Sequence, residues 1–285
     1  MSKNVLPSNK SVLITGCSSG IGFAVALYLA KKGFTVFATV RKPADADRLR
    51  GLNEPNLVPV CPLDLTHPDH IPGLVDLVQS ELERRGQSGL YAVINNAGSG
   101  SVAPMEMMDL DLFSRELHTR LVGPLGLLQA LLPLLRQGGG RILWIATPAI
   151  IPIPYVTSIH ACDFAVNCIA RTLDIELRPW HIPTILIRCG GIKTESSRQT
   201  PEGIESILQH PRSSLYRGVM QKWFNEMGEF DDNRTESVKV AEVIYKALCA
   251  ARPRRRYSIG HMAGLAAFME SMPQDLTDAI MKARY

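Results

Sequence analysis

The stretch Ser11–Gly22 reads SVLITGCSSGIG, and it decides the fold. The apolar run Ser11–Thr15 predicts a buried strand, and Gly20–Lys32 predicts the helix that follows it. The glycines between them allow a tight turn and a close approach to a ligand, and the helix start offers unpaired N–H groups with a partial positive charge. This arrangement predicts a phosphate site, with a ligand-free tight turn as the alternative.

Outward from this unit, short apolar runs alternate with longer segments of helical period. Further strands are predicted at Thr35–Val40, Leu57–Cys61, Tyr91–Ile94, Arg141–Ala146 and Pro183–Arg188. Enough chain lies between them for crossover helices, so the fold class is α/β with a doubly wound parallel sheet. A chain of 285 residues with 46% hydrophobic residues fits one domain over residues 1–285. Residues 193–235 break the rhythm, which predicts a substrate lid or else a mobile insertion.

Composition excludes several classes of protein. No stretch approaches the ~20 apolar residues of a membrane-spanning helix, and Met1–Lys10 lacks the apolar run of a signal peptide, so we expect a soluble cytoplasmic protein. The net charge of +4 is too small to indicate nucleic acid, and the run Arg252–Arg256 is predicted to be a solvated loop before a strand. Six scattered cysteines lack metal-binding spacing, so neither a metal nor a disulfide is expected.

The end of the second strand indicates which dinucleotide binds. An Asp or Glu at this tip would hold the two ribose hydroxyls of NAD, but the chain has Arg41 and Lys42 there. A guanidinium can bind a 2′-phosphate bidentately. The sequence therefore predicts NADP(H) as the cofactor in preference to NAD(H), with an ordinary surface arginine as the alternative.

The chain resembles the short-chain dehydrogenase/reductase family over nearly all of its length. Three motifs carry the resemblance, namely Thr15–Gly22, Asp64 in Leu63-Asp64-Leu65, and Asn95–Gly98. The nicotinamide loop of the family, Pro-Gly-x-Ile-x-Thr, appears at residues 189–194 without its Pro. The most similar branch in layout is that of the 17β-hydroxysteroid and retinol dehydrogenases, which implies a Rossmann-type fold. The resemblance assigns cofactor contacts to Gly16, Ser18, Ser19, Gly20, Ile21, Gly22, Arg41, Lys42, Asp64, Leu65, Asn96, Ala97, Gly98, Ile192 and Thr194.

The resemblance also implies that the catalytic residues of the family are replaced. In the family, a Tyr transfers the proton, a Lys four residues later lowers the pKa of that Tyr, a Ser polarises the carbonyl and an Asn holds a water. These four roles fall on Ile159, Asp163, Thr147 and Arg120, respectively. Tyr155 and His160 flank the Tyr position and are candidate substitute proton donors, or else residues that only pack nearby.

Asp163 decides the predicted chemistry. A buried, isolated carboxylate is costly, so we expect Arg120 to be its partner. Carbonyl reduction creates an alkoxide, which a carboxylate opposes, whereas hydride transfer to an iminium carbon removes a positive charge and needs no proton. We therefore predict an NADPH-dependent reductase of an iminium or other charged intermediate. Enzymes of the family in fungal indole alkaloid pathways also lack the Tyr/Lys pair, which extends the hypothesis to a reductive cyclase of secondary metabolism.

Three other functions stay open at this point. They are a catalytically inactive cofactor-binding protein, a conventional hydroxysteroid or retinol type oxidoreductase that relies on His160 or Tyr155, and a cofactor-independent cyclase. The substrate is expected to be a small apolar molecule, cationic on the iminium hypothesis, in contact with Trp223 and Phe224. The resemblance implies a homo-oligomer, either a dimer or a tetramer, paired through a helix over Leu110–Leu135.

Overall fold

A computed structural model describes residues 6–148, 153–194 and 209–284 of the chain. Its strands are β1 (Ser11–Ile14), β2 (Thr35–Thr39), β3 (Leu57–Val60), β4 (Ala92–Asn95), β5 (Arg141–Ala146), β6 (Thr184–Cys189), β7 (Ile192–Lys193), β8 (Thr235–Glu236) and β9 (Arg256–Ile259). Its helices are α1 (Gly20–Lys31), α2 (Pro43–Arg50), α3 (His70–Arg84), α4 (Leu110–Leu117), α5 (Gly123–Gly138), α6 (Thr157–Glu176), α7 (Ser213–Asp232), α8 (Ser237–Cys249), α9 (Ala263–Met269) and α10 (Gln274–Arg284).

Within these residues, seven strands form one parallel sheet in the order β3-β2-β1-β4-β5-β6-β9. Strand β1 pairs with β2 on one side and with β4 on the other, so the direction of strand succession reverses between β1 and β4. In sheets of this kind, ligands bind outside the carboxyl ends of the strands at the point of reversal. The Gly-rich turn after β1 and the segment Asn96–Gly98 after β4 therefore border the same crevice.

The core has two parts, one on each face of the sheet. Val12 and Ile14 of β1 pack on the face that α1 and α8 cover, whereas Leu13 packs on the face that α3, α5 and α6 cover. All three side chains are fully buried. Strands buried on both faces have continuous apolar sequences, which is why the predicted strands and the parallel α/β class are confirmed.

The predicted solvated loop before a strand is present as far as Arg255, and Arg252, Arg254, Arg255 and Arg256 are all exposed. Arg256 begins β9, and its Nη1 donates to Glu270 Oε1 at 2.7 Å. Arg255 Nε lies 2.9 Å from Asp174 Oδ2 on α6. Both partners are far away in the sequence, and the charge run alone gave no sign of them.

The helix predicted over Leu110–Leu135 is interrupted. Helix α4 ends at Leu117, a π-helical turn spans His118–Val122, and α5 begins at Gly123. A Cβ on Gly123 would lie 2.2 Å from the carbonyl oxygen of Leu65, so close packing against the loop after β3 fixes the chain at this point. Single π turns inside helices are frequent at functional sites.

Part of the predicted lid, residues 195–208, lies outside the described residues. Helix α7 belongs to the same segment, and β7 and β8 join the two ends of the segment in a short parallel ladder, with Ile192 opposite Thr235. Among the described helices, none is both long enough and apolar enough to cross a membrane.

Candidate active site

Two glycines shape the turn after β1. Gly16 and Gly20 have φ values of 71° and 58°, in the left-handed region that side chains rarely adopt. A Cβ on Gly22 would lie 2.1 Å from the carbonyl oxygen of Gly16, so the turn and the first helical residues pack with no room for a side chain. The predicted tight turn is present, with its glycines where the backbone requires them.

The start of α1 has free N–H groups for a ligand. Ser19 is the extended N-cap residue, and no side chain of the described residues caps the helix there. The adjoining residues Ser18, Gly20 and Ile21 are half-buried, and the first backbone N–H bond of the helix runs from Phe23 to Ser19 O. Uncapped N–H groups and the helix dipole favour an anion at this position.

The segment after β4 holds the turn in place. Thr15 Oγ1 accepts hydrogen bonds from the backbone N–H groups of Asn96 and Ala97, both at 2.9 Å. Asn96 Nδ2 donates to Thr15 O at 2.9 Å and to Gly16 O at 3.0 Å. These bonds explain why the Asn95–Gly98 motif accompanies the Gly-rich turn. The motif fixes the backbone of the turn, and the side-chain amide of Asn96 is used for this purpose.

The adenosine side of the crevice carries the predicted basic residues. Arg41 and Lys42 follow β2 and are exposed. Asp64 Oδ1 accepts from Thr66 N at 2.9 Å and from Thr66 Oγ1 at 2.7 Å. Burial would raise the pKa of Asp64, but these bonds and the charge of Arg41 outweigh it and lower that pKa. The neighbouring Leu65 side chain is buried in the core, which leaves only its backbone for a ligand.

Sequence reasoning missed Arg48. This residue lies on α2, and its Nη2 donates to the carbonyl oxygen of Ser18 in the Gly-rich turn. Its guanidinium also lies over the Phe23 ring, 5.9 Å from the centroid. Arg48 therefore contacts the Gly-rich turn from α2, the helix that follows Arg41 and Lys42. The available signal was the Pro-initiated helix directly after Arg41, which carries Arg48 within two turns.

The nicotinamide loop closes over the same turn. A Cβ on Gly20 would lie 3.2 Å from Thr194 Cβ, so Thr194 packs against the start of α1. Ile192 is buried and belongs to β7. Thr194, which the resemblance assigns to the nicotinamide end, thus lies beside the Gly-rich turn.

Asp163 is the centre of a closed polar network. Its side chain is fully buried, and Arg120 Nη2 donates to its Oδ1. Its Oδ2 accepts from Thr147 N at 2.8 Å and from Thr147 Oγ1 at 2.6 Å. The predicted partnership between Arg120 and Asp163 is therefore present. Burial would lower the pKa of Arg120, but the adjacent carboxylate outweighs it and raises that pKa.

Arg120 occupies the π turn and lies between two acids. Its guanidinium packs on Gly98, where an added Cβ would lie 2.8 Å from Nη1. Glu116, one turn earlier, is also buried; it accepts from Ser101 Oγ at 3.3 Å and acts on Arg120 through its charge. With Asp163 these three groups have a formal charge of −1. Sequence reasoning missed Glu116, because its place on α4 reads as an ordinary surface position.

The remaining predicted residues lie around this network. Ile159 packs on Gly100, where an added Cβ would lie 2.0 Å from Ile159 Cγ1. Tyr155 has a φ of 67°, and its ring meets Trp223 of α7 edge-on at 5.9 Å. Burial raises the pKa of Tyr155, the opposite of the shift that helps a catalytic Tyr. His160 is half-buried on α6. The side chain of Phe224, the other predicted pocket residue, lies outside the described residues.

Comparison with known proteins identifies the family. The family described as short chain dehydrogenase matches residues 10–205. The 11-beta-hydroxysteroid dehydrogenase type 2 of Homo sapiens is 32% identical over 97% of this chain and 70% of the relative, and retinol dehydrogenase 5 of Homo sapiens is 29% identical over 96% and 88%. A short chain dehydrogenase from Burkholderia cenocepacia, solved in complex with NADP, matches with a TM-score of 0.73 at 21% identity, over 97% of this chain and 99% of that chain. The chain therefore belongs to the short chain dehydrogenase family, in its hydroxysteroid and retinol dehydrogenase branch.

Proposed function

We propose that this protein is an NADP(H)-dependent reductase that transfers hydride to a cationic carbon, as in an iminium ion. One observation carries the proposal: Asp163 is a fully buried carboxylate that Arg120 and Thr147 hold in place. On the correspondence that the resemblance implies, Asp163 takes the position of the family's Lys and Ile159 that of its Tyr. The site thus has a negative group in place of a positive one, and residue 159 has no proton to give.

The cofactor part of the proposal rests on the fit of the crevice. The uncapped start of α1 and the glycines of the turn suit a diphosphate, since backbone N–H groups and the helix dipole favour anions. Arg41 and Arg48 border the region beyond β2 where a 2′-phosphate would bind. A relative with the same fold was solved with NADP. These features together favour NADP(H) over NAD(H).

The charge of the site favours a cationic substrate. Arg120, Asp163 and Glu116 sum to −1 in a region shielded from water, where Coulomb interactions are stronger than at the surface. Reduction of a ketone builds up negative charge on oxygen, which this field opposes. Reduction of an iminium ion removes positive charge from a substrate that the field attracts. The balance of charge therefore supports the second reaction.

Thr147 supports the same conclusion. In the family its position polarises the substrate carbonyl, but here the hydroxyl donates to Asp163 Oδ2 at 2.6 Å. The cavity lined by Arg120, Asp163, Asn95 and Trp144 measures about 10 Å³, which leaves no room for a substrate group between the two charges. The network acts on the substrate through its field, because the Asp163 carboxylate and the Thr147 hydroxyl are both engaged within it.

The residues of the site have separate roles in the proposed reaction. When bound, NADPH supplies the hydride. The turn Gly16–Gly22 and the start of α1 bind its diphosphate, and Thr194 closes the nicotinamide end. Arg120 and Thr147 hold Asp163 in a fixed position, and Ile159 contributes an apolar side chain that packs on Gly100.

A conventional hydroxysteroid or retinol oxidoreductase is the second candidate. The similarity to 11-beta-hydroxysteroid dehydrogenase type 2 and retinol dehydrogenase 5 favours it. The reaction needs a proton donor, and Tyr155 is the nearest Tyr in sequence to residue 159. Its packing against Trp223 and its raised pKa count against that role. The reductive cyclase of secondary metabolism stays a narrower form of the first proposal.

The protein is also proposed to be a homo-oligomer. Leu110 of α4, Val122 of the π turn and Phe164 of α6 expose 68%, 54% and 47% of their surface, which is unusual for large apolar side chains on neighbouring elements. Such a surface suits a second copy of the chain. Light scattering after size-exclusion chromatography would give the mass, and a monomer at all concentrations would contradict this assignment.

The central experiment uses a permanently charged substrate, the N-methyl-3,4-dihydroisoquinolinium ion. Its reduction needs hydride and no proton, so we expect turnover with NADPH and a kcat that stays level between about pH 6 and 9. Asp163→Asn should lose most of this turnover while NADPH binding, measured by fluorescence titration, is retained. Glu242→Gln, at an exposed acid of α8 that pairs with Lys239, is the matched control and should behave as wild type.

Other outcomes would point elsewhere. Turnover of steroid or retinoid alcohols, lost in Tyr155→Phe and absent with the iminium ion, would establish the conventional oxidoreductase. NADPH binding with no turnover on any of these substrates would indicate an inactive cofactor-binding protein. Conversion of a substrate without NADPH would indicate a cofactor-independent cyclase.

A further inference from the structure

A second cavity lies away from the candidate active site, at the edge of the sheet. Its volume is about 380 Å³, within the range of small-molecule sites. It is bordered by β6, β9 and the C-terminal end of α9. Its lining residues are Arg188, Arg256, Ser258, Ala267, Glu270 and Ser271. Neither the fold nor the proposed reduction requires a cavity with this polar lining.

Two guanidinium groups converge on one carboxylate in this cavity. Arg188 donates through Nη1 to Glu270 Oε2 and through Nη2 to Oε1, the latter at 3.2 Å. Arg256 Nη1 donates to the same Oε1 at 2.7 Å. Burial would raise the pKa of Glu270, but the two guanidiniums outweigh it and lower that pKa, so the carboxylate is ionised at neutral pH. The cluster therefore carries one uncompensated positive charge.

The two arginines of this cluster differ in burial. The Arg188 side chain is only 3% exposed, and its charge is neutralised by a two-point ion pair with Glu270. Arg256 contacts the same carboxylate, but the charge of that carboxylate is already balanced by Arg188. Its side chain is 55% exposed at the rim, and among the described residues it uses one of its five N–H donors, on Glu270. The structural ion pair with Glu270 needs only Arg188, whereas Arg256 faces the cavity.

We propose that this cavity is a binding site for a small organic anion that carries a carboxylate. Arg256 is the group that binds the anion, because its remaining donors match the planar geometry of a carboxylate. Ser258 supplies a hydroxyl group at the wall, and Ala267 supplies an apolar surface for the organic part. The Ser271 hydroxyl donates to Phe268 O at 2.6 Å and only lines the cavity. Arg188 and Glu270 hold Arg256 in position and give the site its shape.

The site lies close to the candidate active site without being part of it. Arg188 stands opposite Ala146 in the β5–β6 register, and Ala146 precedes Thr147 of the polar network. Neighbouring strands lie about 4.8 Å apart. The bound carboxylate could come from the distal end of the substrate or from a separate effector molecule. The chemistry of recognition is the same for both, and competition kinetics separates them.

Benzoate tests the proposal, with benzamide as a neutral probe of the same shape. At constant ionic strength, benzoate should raise the melting temperature of the full-length protein saturably, and benzamide should not. Arg256→Ala should weaken benzoate binding by about tenfold or more, and Arg256→Lys should weaken it less. The control is Arg254→Ala. Arg254 is an exposed neighbour that is not part of the cluster of Arg188, Arg256 and Glu270, so this variant should bind benzoate as tightly as wild type.

Either of two results would overturn the proposal: benzoate and benzamide produce equal effects, or Arg256→Ala binds benzoate as tightly as wild type. Circular dichroism of Arg256→Ala and Arg256→Lys excludes misfolding as the cause of a loss. If benzoate competes with the substrate in NADPH turnover, the anion is the distal end of the substrate; if benzoate binds without competing, it marks an effector site. The binding measurement needs no turnover, so it stands even if the proposed reduction fails.

Discussion

Thr147 donates two hydrogen bonds to a single oxygen of Asp163, from its backbone N–H at 2.8 Å and from its hydroxyl at 2.6 Å. This double contact joins the end of β5 to the first half of α6. The other carboxylate oxygen accepts a hydrogen bond from Arg120 of the π turn. Three separate segments of the chain therefore meet at one buried carboxylate.

Removing one partner of the ion pair between Asp163 and Arg120 should destabilise the folded protein. Asp163→Ala leaves a largely buried guanidinium without its partner, so we expect the free energy of unfolding to fall by about 3–5 kcal/mol. The double variant Arg120→Met/Asp163→Leu removes both charges and should recover most of the loss. Urea denaturation of Arg120→Met, Asp163→Leu and the double variant gives the coupling directly. Additive losses would show that the pair does not act as a unit.

The hydroxyl of Thr147 is predicted to be structural. Thr147→Val removes the hydroxyl and keeps the backbone N–H, so it should cost about 1–2 kcal/mol of stability by leaving one hydrogen bond to Asp163 unmade. Thr147→Ser retains the bond and should be nearly neutral. If the hydroxyl instead polarised a substrate carbonyl, Thr147→Val would lower kcat and leave the denaturation midpoint unchanged. Chemical denaturation and steady-state kinetics on both variants distinguish the two roles.

The sequence was sufficient for the sheet and for the central pair, for physical reasons. Strands such as β1 are buried on both faces, so their apolar runs are unambiguous. Asp163 needs a partner because an isolated buried charge is costly, and Arg120 was the available cation. The π turn, Glu116 and the Arg256–Glu270 pair could not be predicted, since each depends on contacts between residues that only the folded chain brings together.

Arg48 is the missed residue with the clearest consequence for the cofactor. We expect Arg48→Ala to weaken NADPH binding by about tenfold and to leave NADH binding unchanged, because only NADPH has a 2′-phosphate for a guanidinium to bind. Arg41→Ala should do the same. Arg50→Ala is the matched control, since Arg50 lies on the same helix and pairs with Asp47 at 2.6 Å in an exposed position. Fluorescence titration with both dinucleotides measures the effect. An equal loss of affinity for NADH would mean that Arg48 only holds the Gly-rich turn in its shape and does not bind the 2′-phosphate.

Glu270 should make the stability of the C-terminal region depend on pH. Its pKa in the folded protein lies below the unfolded value, because two guanidiniums outweigh the effect of its burial. The stabilisation is therefore complete above the unfolded pKa of about 4.3 and is lost as the pH falls through the lower, folded pKa. At pH 7, Glu270→Gln should lower the free energy of unfolding by about 1–2 kcal/mol, less than for a fully buried pair.

The difference between wild type and Glu270→Gln should then shrink as the pH is lowered below about 4, where the wild-type carboxylate gains its proton. Urea denaturation at pH 7, 5, 4 and 3.5 follows this change. Glu236→Gln serves as the control, because Glu236 pairs with Lys193 in the open, with 64% of its side chain exposed, and should change stability little at any pH. A difference for Glu270→Gln that persists unchanged at pH 3.5 would mean that the carboxylate contributes by packing, and that its charge does not hold α9 against the sheet.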